Sequence, residues 1–292
     1  MKTRVVLTAS LIAIVMLGTG IFAVVRRARA MDARFNTRDF PEYGIRIIAP
    51  TDPSFDGIAT QHFKNKLPDN LRPLSIFIKN SGPRTIVGYA ISWELLNDGK
   101  RITSNSVGYS EPGILIGNEI PSNTVHTTSI DPGKARCFTW SSQIHAELVA
   151  APKPDPVRDL LNAELSRATD VTVSLDAIVF DDGTFIGPNT TGFIDQMQAL
   201  VTAKYDLMRE VVKAKENGTV DAAFDSITKK SQEPDVVFGD KFSADEWYRY
   251  FTKMYAVEIA QLKAIQGKDQ AVSSVVKSYG RAQHGLKKRD KD

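Results

Sequence analysis

The sequence predicts a mainly β chain with a helical C-terminal region, preceded by a segment suited to a membrane. Three features carry this. Val5 to Val25 holds no charged side chain. Between residues 45 and 188, apolar side chains recur at alternate positions and Asp-Gly or Pro-Gly turns punctuate the runs. From Thr191 onward the apolar spacing changes to that of a helix face, about 3.6 residues per repeat.

The first thirty residues stand apart. A bilayer core takes about 20 apolar residues as helix, and Val5–Val25 supplies that length. A secretory leader usually has a shorter apolar run of about 7–15 residues. Ala28-Arg29-Ala30 nevertheless has the small-residue spacing that a signal peptidase reads. Residues 1–30 are therefore expected to be a retained single-pass anchor with an extracytoplasmic domain. The alternative is a signal peptide cleaved after Ala30, giving a secreted or periplasmic protein. Arg26, Arg27 and Arg29 favour a cytoplasmic C-terminal side by charge count alone, whereas long following domains translocate largely regardless of charge.

Charge and cysteine content exclude several classes. Removing Lys2, Arg4, Arg26, Arg27 and Arg29 from the 37 basic residues leaves 32 against 34 acidic ones, a net of −2. The pI of about 8.8 is thus largely set by the leader, and no nucleic-acid partner is expected. Cys137 is the only cysteine, so no intrachain disulfide can form, and in Ala-Arg-Cys-Phe-Thr-Trp it reads as a buried strand residue.

Residues 31–73 read as a connecting arm with one short strand, Gly44 to Pro50, with Ile45 and Ile47 on one face. In Leu74–Leu96 two alternating runs flank Asn80-Ser81-Gly82-Pro83, and the expected product is a β-hairpin. Val87, Tyr89, Ile91, Trp93 and Leu95 share one face of its second strand. Asp98-Gly99 turns the chain back into Arg101–Tyr109. Residues 111–121 read as a loop, and Thr124–Ile130 and Ala135–Val149 as further strands.

Asp155-Pro156 opens a short helix carrying Val157, Leu160, Leu161, Leu165 and Ala168. Val171 to Val179 alternates again and ends in the turn Asp181-Asp182-Gly183. Several short strands with such turns predict an immunoglobulin-like β-sandwich over 74–190. The region 191–282 is expected to be helical, with a capping box at Ser243 and Glu246 and a C-cap at Gly267. Residues 283–292 form a basic tail, read as a solvated terminus or else a phospholipid-contacting patch.

Chemistry-bearing patterns are few. One cysteine and histidines at 62, 126, 145 and 284 give no metal-ligand spacing, and no phosphate loop is present, so no cofactor is expected. The Gly108–Gly113 stretch around Ser110 departs from a nucleophile elbow by one position. The candidate site residues are Asp176, Asp181, Asp182 and Asp195, as Ca²⁺ ligands or as an acid–base pair. Turn chemistry explains Asp181 and Asp182 equally well, and the helix dipole explains Asp195. Trp140, Tyr248 and the Trp247, Tyr250, Phe251 cluster would mark a binding face if exposed together.

Ile76–Trp93, with Ile-Lys-Asn-Ser followed by Ile-Val-Gly-Tyr-Ala-Ile-Ser-Trp, and Asp176–Pro188 together resemble uncharacterised exported bacterial β-sandwich proteins. That resemblance covers about residues 70–190 and implies a fold and an export route, with no catalytic residue to carry over. The expected role is a non-enzymatic binding or assembly module of the cell envelope, held to the membrane through Val5–Val25 and meeting an envelope protein or polysaccharide. The alternative is an extracytoplasmic hydrolase of envelope or extracellular polymers, acting through its aspartates.

Overall fold

In the computed structural model, which describes residues 33–63, 67, 71–117, 128–139, 143–144, 163–165, 167–237 and 242–289, the alternating stretches become strands and the chain is mixed α/β with two sheets. The strands are β1 (Arg34–Arg38), β2 (Ile45–Ile48), β3 (Ser75–Asn80), β4 (Ile86–Asn97) and β5 (Lys100–Ser110). They continue with β6 (Ala135–Thr139), β7 (Gln143–Ile144), β8 (Asp170–Phe180), β9 (Thr184–Ile186) and β10 (Lys287–Lys288). One sheet runs β10-β9-β8-β4-β5, with β1 also paired to β8; the other runs β2-β3-β6-β7. The helices are α1 (Phe55–His62), α2 (Phe193–Asn217), α3 (Val220–Ser231), α4 (Ala244–Gln266) and α5 (Lys268–Tyr279).

The hairpin expected over Leu74–Leu96 does not form. β3 pairs with β2 and β6, while β4 pairs with β8 and β5, so the two runs belong to different sheets. The cause lies in Asn80. Its amide Nδ2 donates to the carbonyls of Arg84 (2.7 Å) and Ile130 (2.8 Å), and its Oδ1 accepts from Gly82 N–H. The chain is thereby tied into a wide turn rather than the two-residue turn a tight hairpin needs. A true hairpin follows instead at Asp98 and Gly99, both at positive φ (48° and 76°), the conformation of a two-residue I′ turn.

The chain divides into two compact units interleaved in sequence: residues 1–79, 92–106 and 135–174 in one, and 80–91, 107–134 and 175–292 in the other. In the first, the expected arm contributes α1. Phe55, Ala59 and Phe63 recur at i, i+4 and i+8 and pack with Ile48, Leu67, Phe77 and Cys137 in a buried cluster. Phe55 meets Phe77 edge-on at 5.2 Å, a favoured aromatic geometry. Asp52 turns the chain into α1 by accepting from both the backbone N–H and the hydroxyl of Ser54. β3 and β6 run antiparallel with Phe77 opposite Cys137.

The core of the second unit is helical. α2 lies along the strand residues Val87, Ala90, Ala177 and Val179 and is flanked by α3, α4 and α5. Here Ile86–Ile91 are buried on both faces, whereas Ser92–Leu96 alternate. Small residues make the contact fit. A Cβ on Gly108 would sit 2.6 Å from the Phe193 ring, and one on Gly88 would sit 3.3 Å from it. The two glycines form a socket for Phe193. Beyond α5 the tail docks along β9. Lys287 N–H donates to Gly183, Arg289 N–H donates to Phe185, and β10 pairs parallel to β9. The backbone there is held while Lys287 and Lys288 keep exposed side chains.

The expected anchor Val5–Val25 and the cleavage site at Ala30 lie outside the described residues, as do most of the 155–168 helix, Trp140, His126, His145, and parts of the strands expected at 124–130 and 135–149. Among the described residues no helix is long and apolar enough to cross a membrane.

Two outcomes test this packing. Gly108→Ala should destabilise the protein by about 1–3 kcal/mol through overpacking, and Phe193→Leu in the same chain should recover part of the loss, as read from urea denaturation midpoints. Cys137 is fully buried, and burial pushes its thiol up to about 12. It should resist a thiol-specific chromogenic reagent in the folded protein and react at once in urea.

Candidate functional site

Each candidate aspartate has its own local employment. Asp176, only 3% exposed, accepts four hydrogen bonds: Oδ1 from the N–H (2.8 Å) and hydroxyl (2.6 Å) of Thr190, and Oδ2 from the N–H (2.9 Å) and hydroxyl (2.6 Å) of Thr191. Burial works against its charge, but the four donors outweigh it and hold the carboxyl below the usual carboxylate range. The same loop carries Asn189 at φ 57°, whose Oδ1 caps α2 by accepting from Ile194 N–H at 2.7 Å. Asp176 is therefore a pin for the start of α2.

Asp182 accepts from the N–H and hydroxyl of Thr184 and pairs with Arg84. Burial opposes its ionisation, and those partners, the Thr184 donors ahead of Arg84, lower its pKa. Asp181 enters the same turn through its backbone N–H, which donates to Thr85. Asp195 lies in the first turn of α2, where a carboxylate suits the positive end of the helix dipole. Among the described residues no group of three or more His, Cys, Asp or Glu side chains could hold a metal ion. The carboxylates of Asp176 and Asp182 serve a helix start and a turn.

The aromatic residues present a different picture. The capping box at Ser243 and Glu246 starts α4 as the spacing predicts, and α4 then carries a ladder of rings. Phe242 stacks on Trp247 at 4.4 Å, Trp247 stacks on Phe251 at 5.6 Å, and Tyr250 meets Phe251 edge-on at 5.2 Å. Phe251 and Tyr255 turn into the core, while Phe242 (39%), Tyr250 (37%), Met254 (39%) and Ile265 (83%) face solvent. Residues of a helix step about 100° apart, so Trp247, Tyr250, Met254 and Ile265 fall on one stripe, about 27 Å long at 1.5 Å per residue. The sequence pattern marks Trp247 and Tyr250; Met254 and Ile265 complete their stripe at i+7 and i+18 from Trp247.

Beside this stripe lies an amine that sequence reasoning missed. Lys204 on α2 is buried, donates to Glu258 Oε1 at 2.6 Å and sits 4.5 Å from the Tyr255 ring centroid. Burial pulls its pKa down, and Glu258 opposes that shift. Burial, and secondarily Glu258, raise the pKa of Tyr255. Lys204 follows Val201 by three and precedes Met208 by four, so it occupies an apolar helix position; only the carboxylate on α4 makes it tolerable there.

On the far side of α4, a cleft of about 560 Å³ opens between α2, α3 and α4. Asp206 accepts within it on both oxygens, taking a 2.7 Å bond from Arg209 and a 2.9 Å bond from the Tyr248 hydroxyl. Burial, then Asp206, raises the pKa of that phenol. Lys230 pairs with Glu210 at 2.5 Å.

In comparisons with protein-family models, curated proteins and solved structures, nothing matches this chain.

The role given to Asp176 has a pH signature. Its folded pKa is depressed, so its stabilisation is complete above the unfolded carboxylate pKa of about 3.9 and is lost as pH falls through the lower folded value. Asp176→Asn should cost about 2–3 kcal/mol at pH 7, and the gap to wild type should narrow steadily below about pH 4, measured by urea titration across pH.

Proposed function

We propose that this chain is a non-enzymatic binding or assembly module of the cell envelope, tethered through Val5–Val25, and that α4 is its docking element. The observation that carries this reading is the solvent-facing stripe of Phe242, Tyr250, Met254 and Ile265 beside Trp247. Trp247, Tyr250 and Met254 lie within two turns of one another, an apolar patch of the kind that marks interaction surfaces, and Ile265 extends it beyond the exposed polar residues Glu258 and Gln261. Tyr and Trp are also enriched among the residues that dominate interface energies. The partner is a protein that offers an apolar helix or groove to the stripe.

The rest of the reading has separate support. A charge-free run of hydrocarbon length supports the anchor. Two separate sheets, with alternating burial along β5 and the second half of β4, support an immunoglobulin-like sandwich over 74–190. The engagement of Asp176 and Asp182 by threonines weighs for a binder over a hydrolase, because a general acid needs a proton and a path to substrate.

A photo-crosslinking amino acid placed at position 250 or 254 of the full-length protein should give discrete adducts in intact membranes. The same probe at exposed Lys134 should give none. Tyr250→Ser with Met254→Ser should abolish binding of the partner so identified while changing stability by about 1 kcal/mol or less, as surface substitutions do. Absence of adducts at both stripe positions overturns the reading.

A further inference from the structure

The cleft between α2, α3 and α4 has a charge pattern that the docking stripe does not use. Arg209, Lys213, Lys230 and Arg249 line it together with Asp206, Glu210 and Glu233. Two of the three carboxylates are already satisfied: Asp206 by Arg209 and Tyr248, and Glu210 by Lys230. Among the described residues Lys213 and Arg249 enter no ion pair. Arg209 donates from Nη2 to Asp206 and lies over the Tyr205 ring at 5.9 Å, with its remaining N–H groups bonded to no carboxylate among the described residues. The lining carries four cations against three anions, and Lys213 and Arg249 are the two cations of the lining outside any ion pair among the described residues, although Arg249 also interacts with the exposed carboxylate of Glu246 one turn back on α4. The cleft is of mixed sign, and an anion would be drawn to the cations in it that no carboxylate pairs, Lys213 and Arg249.

The remainder of the lining limits what the ligand's body can be. Leu207 is buried at the floor and the Tyr248 ring forms a wall. Glu233 offers acceptor oxygens at the exposed rim. An apolar body would strip water from these charges without replacing its hydrogen bonds, which is costly. A body rich in hydroxyls would replace them and could lay one face on Tyr248. The volume, about 560 Å³, suits a small molecule and exceeds what an inorganic oxyanion would fill.

We propose that this cleft binds a small polyhydroxylated anion, a sugar phosphate or sugar acid. Its oxyanion is held by Arg209, Lys213 and Arg249, and its hydroxyls face Glu233 and Tyr248. Guanidinium forks suit such oxyanions because they donate two parallel hydrogen bonds. Arg249 and Thr252 point away from Tyr250 and Met254 around α4, given about 100° per residue, so this site is separate from the docking stripe and stands or falls without it.

The test is calorimetric titration of the full-length protein at fixed ionic strength with glucose 6-phosphate, glucuronate, glucose and inorganic phosphate. One or both sugar anions should bind with a Kd in the millimolar range or tighter, more tightly than inorganic phosphate, and glucose should not bind. Lys213→Gln with Arg249→Gln should weaken the sugar anion at least about tenfold, the scale of losing charge-assisted contacts, while Lys134→Gln leaves it unchanged. Both glutamine replacements lie on exposed side chains, and an unchanged urea midpoint will show that the variant is folded. No sugar anion binding below 10 mM, as an order of magnitude for a weak specific site, overturns the proposal. So does equal binding by the double variant, by glucose, or by inorganic phosphate.

Discussion

The helical half of the second unit depends on one buried carboxylate. Asp176 sits on a central strand, and its two oxygens gather the backbone and hydroxyl groups of Thr190 and Thr191. That grip fixes the residue at which the chain leaves the sheet and coils. Gly187, at φ 110° with Asp176 O where its Cβ would be, lets the loop press against the strand closely enough for the grip to close. Once α2 starts there, Phe193 falls into the space left by Gly88 and Gly108. The apolar face of α2 then lies where α3, α4 and α5 can cover it. Position, rather than bulk hydrophobicity, is what the carboxylate contributes.

A similar economy governs the polar groups on the helices. Lys204 holds a charge in an apolar setting, and its partner Glu258 comes from α4 rather than α2. Removing Glu258 would leave the charge of Lys204 buried and unpaired, which is costly, whereas removing Lys204 would leave only a half-exposed carboxylate. Together with the buried Phe251, Tyr255, Ala256 and Ile259, the pair sets which side chains α4 shows to solvent. The aromatic stripe and the charged cleft occupy two faces of that helix.

Much of this was legible in the sequence, and the failures share a cause. α2, α3, α4 and α5 followed from helical spacing and from a capping box that the structure reproduces at Ser243 and Glu246. β2, β3, β4 and β8 followed from alternation, and β5 from the Asp98-Gly99 turn that precedes it. The strand pairing did not, because alternation tells a strand which faces it has and nothing about its neighbours. Leu74–Leu96 has the look of a hairpin until the side chain of Asn80 is seen bonding to Ile130, fifty residues away. α1 was missed because eight residues flanked by Pro and Asp look like turn chemistry, although Phe55, Ala59 and Phe63 hold helical spacing. β10 has only two residues, too few to show any period. At the site level, the sequence offers Asp176 as a Ca²⁺ ligand or acid, and the structure surrounds it with four threonine donors. Its work proved architectural, since its partners Thr190 and Thr191 carry no pattern that announces them.

The interleaving of the two units bears on how the chain can be divided. The polypeptide passes between them five times, at residues 79–80, 91–92, 106–107, 134–135 and 174–175. No single cut releases either unit whole, and excising 191–292 as a tidy helical fragment would leave Phe193 without the glycines that receive it. Such a chain cannot be shuffled piecemeal by gene fusion at an internal boundary. Each unit draws on segments spread from the first described strand to the last, so a fragment that keeps one unit whole keeps most of the chain.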